Sequence, residues 1–319
     1  MAEEALDRPA GRGGPADLAG GVPVRRIPGG DVSALLDREW LVTNGLGGYA
    51  CGTVAGANTR RYHGLLIAAH PAPLGRLMMW NHLTETFRLP DYRIIAVGGT
   101  ERVGGNVEVQ GVDAMTEFRL ELGLPVWRFE LHGHVVEKRV YMPHRQNTVH
   151  VLYRLIAGPG PLRLKLRASV HFRGHDDPVS RLPEDPYVLT ASEGRYELSA
   201  GTVHPRLRFR IEGDSAALTL DGVKVPDVLY RVEEDRGYEG VGTLWSPGQF
   251  RVNLRADREV VLSASTESWG RLTALSPQAA LAAERDRRER LIVSANPAAR
   301  TGFGAELVLA ADQFVITPV

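Results

Sequence analysis

Apolar and polar residues alternate along most of the chain between residues 31 and 268. In LRLKLRASV, which covers residues 162–170, the leucines fall on one face of an extended strand and the basic residues fall on the other. This period of two is typical of half-buried strands and does not fit a helix. Many such segments follow one another between Gly, Asp and Pro turns, and no fixed-period repeat is visible. The pattern predicts an all-β fold, a large antiparallel β-sandwich, rather than a βαβ fold or a propeller.

Helical signals are confined to a short turn near the start and to the C-terminal part of the chain. The segment DVSALLDREWLVTNG predicts a helical turn at residues 32–36, followed by a strand at residues 40–43. In SPQAALAAERDRRERLIVSA, Ser276 is placed to cap a helix that starts at Pro277 and is rich in alanine and charge. A second helical pattern, GAELVLAADQFVI, begins near Gly304.

These changes of character divide the chain into four parts. Residues 1–30 are short of large apolar side chains and are predicted to form a disordered leader, and residues 31–270 are predicted to form the sandwich. Residues 271–303 are predicted to form a linker helix, and residues 304–319 begin a further helical region. That last helix has no following element to cover its apolar face, so we expect the chain to be the first part of a longer protein. The residues of that face are Leu307, Leu309, Ala310 and Phe314.

Composition excludes several classes of partner. Lys+Arg and Asp+Glu both number 38, so the net charge is zero and neither nucleic acid nor an anionic membrane is indicated. The single cysteine, Cys51, can form neither an intrachain disulfide nor a multi-cysteine zinc site. The N-terminus lacks a basic start followed by an apolar run, and no apolar stretch approaches the roughly 18 residues of a membrane span. The prediction is a cytoplasmic protein.

The sequence contains no recognisable cofactor or catalytic motif. A G-x-S-x-G elbow, a P-loop and a phosphate-binding strand–glycine–helix unit are all missing, so no cofactor is expected. His171 and His175 stand near two aspartates, but the segment is not helical and a four-residue spacing gives them no shared face, so no metal is expected. Carboxylates are numerous, yet none stands in a recognisable acid–base pair such as a glycosidase needs. We therefore assign no catalytic residue.

One glycine-rich stretch carries side chains suited to binding a sugar. It is EWLVTNGLGGYACGTVAGANTRRYHGLLIAA, residues 39–69, and it contains Asn44, Arg60, Arg61, Tyr62 and His63. Arginine and asparagine supply directed hydrogen bonds, while tyrosine and histidine combine a flat apolar face with a polar tip. A sugar offers the matching surfaces, an apolar ring face and a rim of hydroxyls. The alternative interpretation is a glycine-rich hairpin with arginines on its solvent face.

Three further residues have two possible interpretations each. In MMWNHLTETFRL, Trp80 is a candidate for stacking on a pyranose ring, and the alternative is that it belongs to the core. Glu85 in the same segment is a candidate partner for an arginine or a substrate hydroxyl, and the alternative is a solvated carboxylate on a strand face. Trp245 precedes a Ser-Pro-Gly turn and is either a loop aromatic or a packing plug.

Taken together, these motifs closely resemble the N-terminal domain of glycogen debranching enzymes of the bacterial and archaeal type. The resemblance rests first on residues 39–69 and continues through TETF, VEKRVYMPHRQNTVHVLYRL, RGYEGVGTLWSPGQF and AADQFVI. It covers the chain from about residue 31 to the C-terminus. Two departures from the family pattern are Cys51, where the family usually has serine, and Arg173-Gly174, where it usually has an Arg-Asp pair.

The resemblance implies a division of labour within a longer enzyme. The whole protein would hydrolyse α-1,6-linked glucose at glycogen branch points, which is the amylo-α-1,6-glucosidase reaction. An (α/α)6 barrel that follows a β-supersandwich would carry the acid and base carboxylates. Residues 304–319 would be the start of that barrel, truncated here, so this chain alone is expected to be inactive.

The resemblance also implies that the sandwich holds the barrel and helps to shape its substrate cleft. The expected partners are an α-glucan, either glycogen or a maltooligosaccharide, and the C-terminal catalytic domain of the same protein. Two alternatives stay open: a 4-α-glucanotransferase activity of the sandwich itself, and a purely structural scaffold that touches no sugar. The residues expected to bind glucose hydroxyls or ring faces are Asn44, Arg60, Arg61, Tyr62, His63, Trp80 and Glu85.

Overall fold

Two antiparallel sheets of nine strands each account for most of the molecule. The computed structural model describes residues 18–19, 22–104 and 107–317. Part of the predicted leader, residues 1–17 and 20–21, lies outside the described residues. The predicted all-β sandwich is confirmed by the two large open sheets, which are followed by a short C-terminal helical part.

Sheet 1 takes its strands from four separate parts of the sandwich sequence. From one edge to the other it consists of β15 (Tyr187–Ser192), β16 (Arg195–Ala200), β17 (Leu207–Glu212), β20 (Val260–Ser265), β13 (Thr148–Ala157), β12 (His134–Tyr141), β11 (Leu124–Leu131), β10 (Met115–Glu121) and β3 (Arg25–Pro28). All of its neighbouring strands are antiparallel. The strands β15 and β3 form its two edges.

Sheet 2 contains the glycine-rich stretch at one of its edges. Its strands run in the order β18 (Asp214–Leu229), β19 (Val241–Leu254), β14 (Leu162–Gly174), β7 (Arg76–Arg88), β6 (Gly64–Ala69), β5 (Tyr49–Thr53) and β4 (Glu39–Thr43). Two more strands, β8 (Ile94–Glu101) and β9 (Val107–Gln110), extend from β7. A separate short pair is formed by β1 (Leu18–Ala19) and β2 (Val22–Pro23).

The helices are short except for two at the C-terminal end. They are α1 (Val32–Leu36), α2 (Arg231–Asp235), α3 (Trp269–Leu272), α4 (Pro277–Ser294) and α5 (Gly302–Asp312), with a 3-10 turn at Pro297–Ala299. The predicted turn at residues 32–36 is confirmed by α1. Within the described residues, no helix combines the length and the apolar character that crossing a membrane requires.

The alternation of apolar and polar residues in the sequence corresponds to the two faces of each strand. Apolar side chains face the interior, and polar side chains face the outer surface. In β14, Leu162, Leu164 and Leu166 are fully buried, whereas Arg163 and Lys165 remain partly exposed. The inward-facing side chains of both sheets form one continuous apolar core. Because each Å² of apolar surface removed from water contributes roughly 25 cal/mol, this layer is the main source of stability.

Sheet 1 begins earlier in the sequence than predicted. Residues 25–28 belong to the predicted leader, but they form β3 and pair with β10, where Ile27 lies opposite Phe118. Ile27 packs against the apolar core, and this contact explains why a segment with few large apolar residues joins the sheet.

The segment VLYRVEEDRG, residues 228–237, changes from strand to helix. The chain leaves β18 at Leu229 and turns into α2. Tyr230 and Glu233 are buried at this turn, so the local structure is set by two side chains that enter the interior. The preceding strand, β18, is 16 residues long and passes through three register shifts along β19.

Polar contacts attach α4 and α5 to the sandwich and to each other. Ser276 caps α4 as predicted, since its Oγ accepts a backbone N–H of the first turn at 3.2 Å. Tyr141 of β12 donates a hydrogen bond of 2.7 Å to the carbonyl oxygen of Pro277. Arg287 of α4 donates two hydrogen bonds, of 3.0 and 2.8 Å, to the carboxylate of Asp312 at the end of α5.

An ion pair lies inside the sandwich between the two sheets. Lys138 Nζ on β12 donates to Glu85 Oε2 on β7 at 2.6 Å, and both side chains are buried. The Tyr153 hydroxyl on β13 donates to the other oxygen of Glu85, and burial raises the pKa of Tyr153 well above its usual value. The Lys138 ammonium also lies 5.1 Å from the centre of the Trp127 ring. Each charge therefore has a partner in the interior.

Removing one charge of this pair should destabilise the protein far more than removing an outward-facing lysine. In Lys138→Ala, Glu85 keeps a buried carboxylate without its cation, so we expect the free energy of unfolding to fall by about 3–5 kcal/mol. Lys165→Ala on β14 is the matched control and should cost less than about 0.5 kcal/mol. Urea denaturation of both variants measures the difference. Equal losses would contradict a role for the pair in joining the sheets.

Three histidines are buried in the uncharged state. Burial lowers the pKa of His82 to about 4, of His150 to about 3 and of His171 to about 4. In an unfolded chain a histidine has a pKa of about 6.5. The unfolded state therefore holds more protons than the folded state below about pH 6.5. The stabilisation from these neutral histidines is complete above that pH and is lost as the pH falls through the folded-state pKa values.

We expect the free energy of unfolding to decrease between about pH 6.5 and 5 by up to about 1.4 kcal/mol per pH unit for each of these histidines. His150→Gln should remove one such contribution and give a shallower slope. Ser192→Ala changes an exposed residue that does not titrate and should leave the slope of the parent protein unchanged. Urea unfolding at a series of pH values measures the slopes. The interpretation fails if His150→Gln and the parent have the same slope.

Candidate functional site

The loop between β5 and β6, residues 54–63, carries most of the predicted site residues to the rim of sheet 2. Thr53 at its start donates a hydrogen bond of 2.6 Å to the carbonyl oxygen of Ala57. His63 at its end is buried, and its Nδ1 accepts the backbone N–H of Thr59 at 3.1 Å. The backbone N–H of His63 bonds to the carbonyl oxygen of Arg60 at 3.0 Å. His63 thus fixes the loop from inside.

Four planar groups lie one upon another beside this loop, and we call them the Tyr238–His175 stack. The guanidinium of Arg61 lies 5.1 Å from the ring centre of Tyr238 and 4.8 Å from that of Tyr62. The Tyr62 ring in turn stacks on His175, with ring centres 4.7 Å apart and planes 30° apart. Tyr238 is 58% exposed, while the inner members are partly buried. The stack therefore presents a mixed aromatic and cationic surface to solvent.

Arg61 is also the counter-ion of a buried carboxylate. Glu233 of α2 is 1% exposed, and its Oε2 lies 3.5 Å from Arg61 Nε. The backbone N–H of Arg61 donates to the other oxygen of Glu233 at 3.2 Å. Arg61 Nη2 donates to the Tyr62 hydroxyl at 2.7 Å. These contacts hold the guanidinium between Glu233 and the Tyr62 side chain.

A second arginine, fully buried, holds the neighbouring loop in place. Arg173 at the end of β14 donates through Nη1 to the carbonyl oxygens of Gly174, His175 and Asp177, at 3.1, 3.1 and 3.3 Å. Its Nη2 donates to the carbonyl oxygen of Arg61. Burial lowers the pKa of Arg173. Arg173 thereby joins the loop that carries His175 to the loop that carries Arg61.

His175 links a phenol to a carboxylate. Its Nε2 lies 2.9 Å from the Tyr49 hydroxyl, and its Nδ1 lies 3.0 Å from Asp176 Oδ1. Burial lowers the pKa of His175, and the hydrogen bond to Asp176 opposes this effect. The Tyr49 hydroxyl also donates to the carbonyl oxygen of Tyr62 at 3.2 Å, which ties His175 to the loop that carries Tyr62. The orientation of the His175 ring is therefore fixed from both sides.

A shallow groove of about 450 Å³ lies beside the stack. It contains charges of both signs: Arg76 is exposed and makes no ion pair with any described residue, and Asp176 is also exposed. Among the residues that the structure describes, no group of three or more His, Cys, Asp or Glu side chains could hold a metal ion. The groove is lined by Leu74, Gly75, Arg76, Gly174, His175, Asp176 and Asp177.

Arg60 and His63 contact Glu39 and are not part of the stack. Arg60 forms a salt bridge with Glu39, and His63 Nε2 lies 3.3 Å from the same carboxylate. His63 and Arg60 lower the pKa of Glu39 to about 2. Of the four consecutive predicted residues 60–63, the structure therefore brings two into the stack and uses the other two around Glu39.

The Asn44 side chain closes a turn and leaves no group free for a ligand. Its Oδ1 accepts the backbone N–H groups of Leu46 and Gly48 at 2.9 and 3.0 Å. Its Nδ2 donates to the carbonyl oxygen of Gln146 and to Asn147 Oδ1, both at 3.0 Å. Position 48 requires glycine, because a Cβ there would lie 2.6 Å from Asn44 Nδ2.

Trp80 and Glu85 lie in the interior, away from the stack. Trp80 is fully buried, its indole N–H donates to the carbonyl oxygen of His82 at 3.0 Å, and its ring meets the edge of Phe209. The alternative interpretation of Trp80 as a core residue is the one that this placement supports. Glu85 is occupied by Lys138, as described above.

Several residues of the stack and its support were not singled out from the sequence as sugar-binding candidates. Tyr49, Arg173, Glu233 and Tyr238 were not candidates, and His175 was considered only as a metal ligand. The sequence did contain a signal for two of them. His175 lies in GHDD and Tyr238 lies in RGYEG, and both segments are typical of loops at strand ends. His171 and His175 do not share a site: His171 is buried and its Nε2 lies 2.6 Å from the carbonyl oxygen of Arg181.

The structure is an all-β domain with aromatic and charged side chains at one rim, and comparison with known proteins identifies its family. Residues 38–261, more than half of the chain, match the family described as glycogen debranching enzyme N terminal. The chain belongs to this family, which confirms the resemblance of its motifs.

Two further comparisons are less specific. Among solved structures, the chain is similar to a bacterial glucoamylase complexed with acarbose, with 9% sequence identity and a TM-score of 0.38. The match covers 89% of this chain and 39% of the glucoamylase chain, so this chain spans less than half the length of that enzyme. No curated protein matches the chain.

The two adjacent arginines of the loop should differ sharply in their effect on stability. Arg61→Ala leaves the buried Glu233 without its counter-ion, so we expect the free energy of unfolding to fall by about 3 kcal/mol or more. Arg60→Ala breaks a pair with the largely exposed Glu39 and should cost no more than about 1 kcal/mol. In a Glu233→Gln background, Arg61→Ala should cost less. Chemical denaturation of these variants tests the scheme, which fails if the two arginines cost the same.

Proposed function

We propose that this chain is the non-catalytic N-terminal domain of a glycogen debranching enzyme and that it contributes to α-glucan binding. In this proposal it also packs against a C-terminal amylo-α-1,6-glucosidase barrel. Membership of the family supports the enzyme context. The observation that carries the binding role is the Tyr238–His175 stack, with its adjacent polar groove.

The stack has the chemistry that a glucose unit needs. The exposed ring of Tyr238 offers an apolar face, and Arg61 and Arg76 offer donors to hydroxyl groups. Asp176, which is exposed, offers acceptors. Hydrogen bonds to charged groups contribute about 1.5–3 kcal/mol each, and ordering costs reduce their sum. We therefore expect millimolar to micromolar affinity for a maltooligosaccharide, on the order of 4–8 kcal/mol.

The carboxylates of the described residues support a non-catalytic role. A glycosidase needs a general acid whose pKa is raised, together with a second carboxylate across the scissile bond. In this protein, neighbouring basic groups lower carboxyl pKa values instead. His63 and Arg60 lower the pKa of Glu39, and Arg93 lowers the pKa of Asp91. Glu233, the carboxylate nearest the stack interior, is buried and paired with Arg61. We place bond cleavage in the proposed barrel.

The surface of the C-terminal helices supports a packing partner. Helix α5 buries Leu309 against the sandwich side but exposes other apolar side chains. Exposed apolar residues in this number mark a protein–protein contact more often than a free surface, and we propose that the barrel covers them. A single free cysteine fits a reducing compartment, so the cytoplasm is the proposed location. The exposed residues are Val293, Phe303, Leu307, Phe314, Val315 and Ile316.

A structural scaffold without sugar contact is the second candidate. It is favoured by the placement of four residues that were predicted to contact sugar. All four are buried, and their polar atoms or rings contact other parts of the protein. These residues are Asn44, His63, Trp80 and Glu85. A 4-α-glucanotransferase activity has no corresponding observation in its favour.

Binding of maltoheptaose separates these candidates. We expect a saturable signal by isothermal calorimetry, and Tyr238→Ala should weaken binding about tenfold, a loss of about 1.4 kcal/mol. Tyr92→Ala is the matched control, because Tyr92 is 76% exposed and also lies beside an arginine, but it is not part of the stack. Circular dichroism verifies that both variants are folded.

Two outcomes would overturn the proposal. No heat of binding up to tens of millimolar maltoheptaose would leave the scaffold as the better account. Release of glucose or redistribution of oligosaccharides from branched glucan by this chain alone would contradict a non-catalytic role.

A further inference from the structure

A second pair of aromatic rings lies where the edge strand of sheet 1 approaches sheet 2. Tyr187 begins β15, and Trp245 belongs to β19. Their rings are stacked, with centres 4.9 Å apart and planes only 14° apart. Both residues are half-buried and also pack against the apolar core. No residue that lines the groove beside this pair also lines the groove beside the Tyr238–His175 stack.

The pair is held in a fixed position. The Tyr187 hydroxyl accepts the backbone N–H of Phe172 at 2.9 Å, and the two rings meet edge to face at 5.2 Å. Burial raises the pKa of Tyr187 to about 12, so its hydroxyl keeps its proton at neutral pH. Because these contacts are all made within the protein, binding here would require little ordering of the two rings.

The pair forms part of a groove of about 390 Å³, which is within the usual size of small-molecule sites. The other lining residues include Leu182, Glu184 and Asp185 from the segment before β15. Lys224 of β18 lies directly opposite Trp245 in the register of the two strands. Its side chain therefore emerges on the same face as the Trp245 ring.

The polar groups of this groove are unoccupied by protein partners. Glu184, Asp185 and Lys224 are exposed, and none of them forms a hydrogen bond or an ion pair with any described residue. The Trp245 indole N–H also lacks a partner among those residues and is not buried. A flat aromatic wall is thus surrounded by free donors and acceptors.

We propose that this Tyr187–Trp245 groove is a second α-glucan binding surface of the domain. The choice of sugar rests on the proposed function, since the same chemistry of apolar ring faces and hydroxyls is required. One lysine faces two acidic residues, so the groove does not favour a polyanion. Its size suits a few glucose units rather than a protein surface, since specific protein interfaces bury about 1,200 Å² or more.

Two surfaces on one domain suit a branched polymer. Different outer chains of one glycogen particle can occupy the Tyr238–His175 stack and the Tyr187–Trp245 groove together. The second contact is then intramolecular, so weak individual affinities combine into firm attachment.

The Trp245 indole N–H provides a site-specific probe. In protein labelled with 15N-tryptophan, Trp245→Phe identifies the Trp245 resonance among the five indole signals. Titration with maltoheptaose should shift this resonance saturably in the parent protein and in Tyr238→Ala. Cellohexaose, whose glucose units are β-linked, should shift it at least several-fold less. A resonance that stays fixed up to tens of millimolar maltoheptaose overturns the inference.

Variants of exposed residues keep the test independent of folding. Lys224→Ala combined with Glu184→Gln should raise the concentration for half-maximal shift at Trp245 about tenfold, while binding at the stack stays unchanged. The matched control is Lys165→Ala combined with Glu130→Gln, which changes one lysine and one acid elsewhere on the sandwich. If the groove variant and this control give the same midpoint as the parent, the charged residues do not contact the sugar and the proposed groove is wrong.

The failures of the two proposals are distinguishable. If Tyr238→Ala weakens binding but the Trp245 resonance never moves, the second surface is absent and the proposed function stands. If the Trp245 resonance moves but Tyr238→Ala has no effect, the groove is confirmed and the stack is not the sugar site. If neither responds to maltoheptaose, both proposals fail.

Discussion

The ion pair between Glu85 and Lys138 joins the two sheets inside the sandwich. A charge left alone in this interior would cost several kcal/mol, so the pair constrains where β7 and β12 lie relative to each other. Apolar burial drives the sheets together, but it tolerates many relative positions. The pair, with Tyr153 and Trp127 around it, selects one of them. The cost of this selection is that Glu85 is no longer available to a ligand.

Buried polar groups are also paired at the rim of sheet 2, closer to solvent. Arg61 neutralises the buried Glu233, and Arg173 satisfies the carbonyl groups of the adjacent loop. Both guanidinium groups therefore fix loop positions before any ligand is present. The planar groups of the stack inherit this order, so the surface that these loops form is preorganised.

Local patterns in the sequence predicted local structure well, and contacts between distant segments poorly. The leucines of β14 and the Ser276 cap follow from residue spacing, because burial and capping act over a few positions. The family resemblance adds the enzyme context. Nothing local distinguishes Arg60 from Arg61, or a buried asparagine such as Asn44 from an exposed one. Their partners lie on other strands, and only the assembled sheets decide which side chain faces the groove.

The end of the described chain contacts the glycine-rich stretch of residues 39–69. Gln313 donates to the carbonyl oxygen of Leu41, a residue 272 positions away, and the backbone N–H of Thr317 donates to Gly45. The turn at Gly45 is therefore clamped by residues that follow α5. A displacement of α5 that breaks these hydrogen bonds would free the turn at Gly45. A force applied to the C-terminal helices would therefore be transmitted to the rim of sheet 2.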